Sequence, residues 1–99
     1  MQAFLCKIKP GKKETWINWC HLLDTDYRAE ALETLKEEHL SYEACAIFSI
    51  EGEDYIIGFD QGEVTPANMD RPLNKKHREM RKECLEKIGP AQFLYELRG

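Results

Sequence analysis

The order of hydrophobic patterns along the chain constrains its fold more than any other sequence feature. Residues 2–9 alternate between apolar and other side chains, a period of two that predicts a strand. Helical spacing follows over 12–38, two more alternating segments lie at 42–50 and 54–59, and a second helical pattern runs from Asn74 to Ile88. Alternation returns in FLYEL, residues 93–97, which predicts a last strand.

This succession of elements is the split β-α-β-β-α-β arrangement of the ferredoxin-like fold. A chain of 99 residues makes one domain. We therefore predict a single α+β domain over residues 1–99, with a four-stranded antiparallel sheet and the helices on one face. We favour a continuous or slightly kinked first helix, although Asp24-Thr25-Asp26 offers caps for two helices in sequence. Asn74 is expected to cap the second helix, and Gly89-Pro90 to end it.

Both faces of the predicted middle strands carry apolar side chains. In the first of them Tyr42, Ala46 and Phe48 share one face, whereas Cys45 and Ile47 point to the other. Strands that are apolar on both sides need a cover on both sides. The helices cover one face, so we predict that a second copy of the sheet covers the other, in a symmetric homodimer.

Polar residues on the predicted dimer face outline a candidate pocket. Lys7 and Glu96 are expected to lie on adjacent antiparallel strands, where they can meet across the ladder. Beside them, the candidate ligand-binding residues of the sheet are Tyr42, Tyr55 and Gln92. The alternative is an ion pair on the sheet surface, worth less than about 1 kcal/mol.

Two histidines and two tryptophans complete the candidate site. His77 has helical spacing to Met80 and Cys84, which points it inward, and a buried histidine can titrate near neutral pH. His77 and His21 are the candidate acid–base residues, with Glu96 assisting, and the alternative for each histidine is a surface or structural role. Trp16 and Trp19 share a helix face and either pack in the core or stack on a ligand.

Composition argues against several classes of partner. The net charge of −4 disfavours nucleic acid, whose phosphates need basic side chains. No apolar run approaches the ~20 residues that cross a membrane, and the basic residues of the first segment follow its apolar run, unlike a signal peptide, so we predict a cytoplasmic protein. The cysteines lack CxxC spacing, which favours buried free thiols. We predict no metal site and no cofactor.

Three segments, KPGKKETW, EGEDYIIGF and LNKKHREMRKECLE, resemble a family of small uncharacterised bacterial domains in the dimeric α/β-barrel superfamily. The resemblance implies a ferredoxin-like fold that dimerises through its sheets. The opening is also similar to the L-rhamnose mutarotases, with Trp16 where that family has a tyrosine and Cys20 where it has a histidine. Three hypotheses for the function remain: a domain that binds a small molecule beside the sheet, an enzyme of the mutarotase or cofactor-independent monooxygenase type, and a structural or interaction module.

Overall fold

A computed structural model describes residues 1–63 and 65–99, which form an α+β domain with a four-stranded antiparallel sheet. The strand order in the sheet is β2-β3-β1-β4. The elements described are, in chain order, β1 (Gln2–Ile8), α1 (Lys13–Asp24), α2 (Arg28–Glu37), β2 (Leu40–Ile50), β3 (Glu53–Gly62), α3 (Pro72–Cys84) and β4 (Leu85–Ala91). No helix in these residues is long and apolar enough to cross a bilayer.

The register of the sheet separates two faces. Cys6 pairs with Ile56 and Ile56 pairs with Ile47, so these side chains point to the same side, which we call the helix face. The opposite side, which we call the outer face, carries Leu5, Ile57 and Ala46 in register. The predicted alternation of β2 and β3 is therefore confirmed, but β2 lies at the edge of the sheet and not in its middle, where β1 lies beside β3. Other members of the outer face are Ala3, Lys7, Tyr42, Ala44, Phe48, Ile50, Tyr55 and Phe59.

The core lies between the helix face and the helices. Trp16 and Trp19 of α1 are each 4% exposed, and they pack with Leu73 of α3 against Cys6 and Ile56. An aromatic side chain of this size buries about 150–250 Å² and dominates the energetics of a core. The two tryptophans, spaced three residues apart on one helix face, are therefore the main contribution of α1 to stability.

The first helical region is two helices, and the continuous helix that we favoured is wrong. Asp24 ends α1, and α2 begins at Arg28 after Tyr27. The hydroxyl of Thr25 donates a hydrogen bond to the carbonyl of His21, and the amide of Tyr27 donates to Leu22. A threonine hydroxyl that bonds to the backbone in this way competes with helical hydrogen bonds, and the chain turns here. Tyr27 is the N-cap of α2, so none of Asp24, Thr25 and Asp26 caps it.

The end of the chain also differs from the prediction. The third helix stops at Cys84, and residues 85–91 form the edge strand β4 beside β1, whereas FLYEL forms no strand. The amide of Lys9 donates a hydrogen bond to the carbonyl of Cys84 and holds this junction to the end of β1. Gly89 and Pro90 therefore lie inside a strand, where proline is tolerated because the strand is at an edge.

Two local predictions need correction as a result. Lys7 pairs with Tyr55 and Glu86 in the sheet, and its Nζ lies 3.2 Å from the Glu53 carboxylate, so the predicted contact with Glu96 is wrong. Arg71 is the N-cap of α3 and Pro72 begins the helix, so Asn74 is not the cap. Proline suits this first position because its missing N–H has no helical partner there.

Candidate functional site

A cleft of about 1000 Å³ lies between the helices and the helix face of the sheet. Its floor includes Ile56 and Gly58 of β3 and Phe4 of β1. A Cβ atom at position 58 would collide with the Phe4 ring, so the glycine lets the ring lie flat over β3. Clefts of this size with a largely apolar lining are typical of small-molecule sites.

A histidine lies at the α3 side of the cleft, in contact with both tryptophans. The indole Nε1 of Trp19 donates a hydrogen bond of 2.8 Å to Nδ1 of His77, and the ring of Trp16 lies 6.1 Å from the imidazole. Burial, followed by the nearby charge of Arg81, lowers the pKa of His77 to about 4. Because Nδ1 accepts a hydrogen bond, the neutral ring carries its proton on Nε2.

Three carboxyl groups form one wall of the cleft, and we call them the acidic wall: Glu38, Glu43 and Asp60. Glu43 and Asp60 are cross-strand partners, while Glu38 follows α2. Burial among surrounding atoms raises the pKa of Glu43 to about 7, and the charges of Asp60 and Glu38 add to the effect. Burial raises the pKa of Glu38 and Asp60 as well. The acidic wall can therefore hold a proton near neutral pH.

Four cationic side chains from α3 and β4 form a second wall, and we call them the basic wall: Arg78, Arg81, Lys82 and Lys87. The guanidinium of Arg81 lies 5.1 Å from the centre of the Phe4 ring. Its charge lowers the pKa of Glu43 and Asp60, which places it within electrostatic reach of the acidic wall. In the described part of the chain Arg81 makes no ion pair, and the Cys6 thiol is the polar group that its guanidinium reaches, so most of its donors remain available to a ligand.

Two thiols meet inside the cleft. Cys45 of β2 is exposed and Cys20 of α1 is half-buried, and the neighbouring Cys45 thiol, followed by burial, raises the pKa of Cys20. The proximity of Cys20 is in turn the main cause that lowers the pKa of Cys45 to about 7. Cys6 and Cys84 are buried, as expected, but Cys45 is not. No group of three or more His, Cys, Asp or Glu side chains in residues 1–63 and 65–99 is arranged to hold a metal ion.

The sequence-based candidate residues are divided between two sides of the sheet. Trp16, His21 and His77 line the cleft, and Trp19 lies behind His77. Lys7, Tyr42 and Tyr55 lie on the outer face, and Gln92 and Glu96 belong to the C-terminal segment 92–99. The structure thus brings together the residues of the helices, and on the outer face it pairs Lys7 with Tyr55, but it does not join these two to Tyr42, Gln92 and Glu96 in the expected sheet pocket.

Both walls of the cleft and one of its thiols were not identified from the sequence, and the residues that matter most among them are Glu43, Cys45, Asp60 and Arg81. The alternation of β2 carried a signal for two of them, because a glutamate on the same face as Cys45 and Ile47 points toward the helices. Asp60 and Arg81 join them through the β2–β3 register and the packing of α3. No local pattern reports those long-range contacts.

Comparison with known proteins places the chain in a family without assigning an activity. No curated protein and no solved structure matches the sequence. A family model described as "Family of unknown function (DUF6176)" matches residues 1–97. Because the match spans nearly the whole chain, the protein belongs to the DUF6176 family.

Proposed function

We propose that this protein binds a small organic anion in the cleft between its helices and its sheet. The observation that carries the proposal is the pairing of an acidic wall with a basic wall across an apolar floor. Such a cleft favours a ligand with an acid group, an apolar body and a hydrogen-bond donor, because each part then meets a complementary surface.

Arg81 is the expected partner of the acid group. Its guanidinium is half-buried, stacks over Phe4 and has no ion pair among the residues described. A planar guanidinium binds carboxylates, sulfonates and phosphates through two parallel hydrogen bonds. The apolar floor beside it accommodates the body of the ligand.

Glu43 links ligand binding to a proton. With its pKa at about 7, this carboxyl is partly protonated at neutral pH. An anion in the cleft raises that pKa further, since two negative charges close together repel each other. Binding is therefore accompanied by proton uptake at Glu43 and weakens as the pH rises.

The test uses 1-anilinonaphthalene-8-sulfonate, an aromatic sulfonate with an N–H donor that does not titrate near neutral pH. We expect saturable fluorescence enhancement with energy transfer from Trp16, and a roughly fivefold weaker affinity at about pH 8 than at about pH 6. Arg81→Met should weaken binding by roughly tenfold, since a charge-assisted hydrogen bond contributes about 1.5–3 kcal/mol. Glu43→Gln should remove the pH dependence.

Lys76→Gln is the matched control for Arg81→Met. Lys76 is an exposed cation on the same helix that does not line the cleft, so its loss should leave the affinity unchanged. Equal binding by the Arg81→Met variant and the wild type would contradict the proposal. In that case the dye would have bound elsewhere, for example on the outer face.

An acid–base enzyme is the second candidate function. The observation in its favour is the presence, in one cleft, of a neutral His77 that can donate from Nε2 and a Glu43 carboxyl with a pKa of about 7. A carboxyl with a pKa near the working pH can donate and accept a proton in turn, while the neutral imidazole holds a substrate oxygen through the hydrogen bond that Nε2–H donates. Sugar mutarotation and cofactor-independent oxygenation both begin with such a proton transfer.

We also propose that the protein is a cytoplasmic homodimer of ferredoxin-like topology, joined through its outer faces. Tyr42 and Ile50 on that face are 49% and 55% exposed, and the ring of Phe93 in the C-terminal segment packs near Phe59 of the same face. Leu94, Tyr95 and Leu97 of the same segment are 79–88% exposed, which suits a second copy as their cover. Free cysteines are typical of reducing compartments, in support of the location.

Sedimentation equilibrium tests the dimer. At micromolar concentration the wild type should sediment at twice the chain mass of 11.6 kDa. Ala46→Glu adds a charge to the outer face and should give the monomer mass, because a buried unpaired charge disrupts an interface. Ile47→Glu, one residue along but on the helix face, should remain dimeric. A monomeric wild type would overturn this assembly.

A further inference from the structure

Two thiols lie in the cleft and have no role in the proposed binding of an organic anion. Cys20 and Cys45 come from α1 and β2, 25 positions apart in the sequence, and both line the cleft, where each thiol is close enough to shift the pKa of the other. Cys45 is exposed to the cleft, and Cys6 and Cys84 are buried in the core. Of the four cysteines, Cys45 is therefore the one that a small molecule can reach most easily.

A buried indole donor beside Cys45 provides independent support. Trp16 is 4% exposed and lines the cleft, yet its Nε1–H makes no hydrogen bond with any residue that the structure describes. A buried donor without a partner is costly, and thiols are weak acceptors. Trp16 lies close enough to Cys45 to lower the pKa of its thiol. Ionisation of Cys45 supplies the acceptor that the indole lacks.

The remaining groups around Cys45 have opposing effects. Arg81 of α3 favours the thiolate, while Glu43 on the same strand and burial disfavour it. On β1, the pKa of Cys6 is raised by burial, so that thiol is neutral and adds no competing charge at neutral pH. The donors Cys20 and Trp16 outweigh the unfavourable contributions, and the pKa of Cys45 falls to about 7.

We propose that Cys45 is a nucleophilic thiol that forms mixed disulfides with small disulfides entering the cleft. The Cys45 thiolate attacks one sulfur of the disulfide R–S–S–R, a new S–S bond forms, and the old S–S bond breaks. The electron pair of the broken bond leaves on the second R–S⁻, which takes a proton from solvent. Another small thiol reverses the reaction by the same exchange. Cys20 and Trp16 act as positioning residues that donate to the thiolate.

The experiment is a stopped-flow reaction of the folded protein with 4,4′-dithiodipyridine, an uncharged disulfide whose leaving group is coloured. We expect one fast equivalent per chain, with a rate that rises with pH through a midpoint of about 7. Peptide mapping of the first label by mass spectrometry should find it on Cys45. Cys45→Ser should remove the fast phase and leave the other thiols slow.

Three variants separate activation of the Cys45 thiol from packing of the core. Trp16→Phe keeps the ring but loses the donor, and should slow the reaction at pH 7 by about two- to fivefold while moving the midpoint upward. Cys20→Ser retains a donor and should react nearly as the wild type does, whereas Cys20→Ala should resemble Trp16→Phe. Circular dichroism of each variant verifies its folding.

Three results would each overturn the proposal. These are a first label on a cysteine other than Cys45, a native midpoint near the ordinary thiol value of 9.0, and a Trp16→Phe profile identical to the wild type. If Cys45→Ser does not fold, the mapping of the wild-type label still decides. Dye binding in the cleft is measured separately, so this failure is distinguishable from failure of the organic-anion proposal.

Discussion

Replacement of Ile56 by alanine is expected to lower the free energy of unfolding by about 2–5 kcal/mol. Ile56 is 1% exposed in the centre of the sheet and belongs to the core cluster with Cys6 and Trp16. Alanine removes the buried methyl and methylene groups and leaves a cavity that the surrounding strands cannot close. Since domains of this size are stable by only about 5–15 kcal/mol, the loss is a large fraction of the total.

Ile47 is the matched control for this prediction. It pairs with Ile56 across the β2–β3 ladder and points to the same face, but it is 43% exposed. Ile47→Ala should therefore cost less than about 1 kcal/mol. Urea denaturation measures the loss in both variants. The dependence of the free energy of unfolding on urea concentration should be the same as in the wild type. Equal losses would show that Ile47 on the edge strand β2 is covered in solution, contrary to its exposure in the structure.

The second large effect is the dependence of stability on pH, to which His77 and Glu43 contribute with opposite signs. The pKa of His77 is about 4 in the folded protein against an ordinary value of 6.5. Between these values the unfolded chain binds a proton that the folded protein does not, so stability is lost as the pH falls from 6.5 to 4. That difference corresponds to about 3 kcal/mol.

Glu43 acts in the other direction. Its pKa is raised from 4.5 to about 7, so the folded protein holds a proton that the unfolded chain has released. Its contribution to stability is therefore present at acidic pH and is lost as the pH rises from 4.5 to 7. Between pH 4.5 and 6.5 the two contributions oppose each other, and the wild type should show a shallow profile.

Single variants of Glu43 and His77 should each reveal the pH dependence that the other residue gives to the free energy of unfolding. Glu43→Gln should make the free energy of unfolding fall more steeply as the pH drops below 6.5. His77→Gln keeps an acceptor for the Trp19 indole and should give a profile that falls as the pH rises instead. The double variant serves as the control and should lose both slopes. Urea titrations at several pH values measure them, and two parallel single-variant profiles would refute the assignment.

Much of the sheet was predictable because the alternation of apolar and polar side chains is a local pattern. The alternation in β2 and β3 follows from side chains that point to opposite faces at successive positions. The segment Glu51-Gly52-Glu53 predicts a three-residue hairpin loop, and the turn is one residue shorter because Glu53 pairs with Ile50. Glu51 and Gly52 have positive φ, 51° and 80°, as such a hairpin turn requires. The division of these strands into two faces could therefore be read without any knowledge of what packs on them.

The end of α3 could not be predicted in the same way. Cys84, Leu85 and Ile88 continue the helical spacing of His77 and Met80, so a longer helix satisfies the local pattern. Pairing with β1 decides otherwise, because residues 85–91 complete the edge of the sheet and Leu85 is buried in the core. FLYEL alternates like a strand, but in this fold β4 already occupies the place next to β1.

The sequence by itself determined the class of the domain, the order of most of its elements and the two faces of β2 and β3, since these depend on periodicity within short segments. The tertiary structure alone decided the composition of the cleft. Four different elements, β2, β3, α1 and α3, supply Glu43, Asp60, Arg81, Cys20 and Cys45, which meet through register and helix packing. Their shifted pKa values arise from that meeting, because burial and neighbouring charge are properties of the folded arrangement.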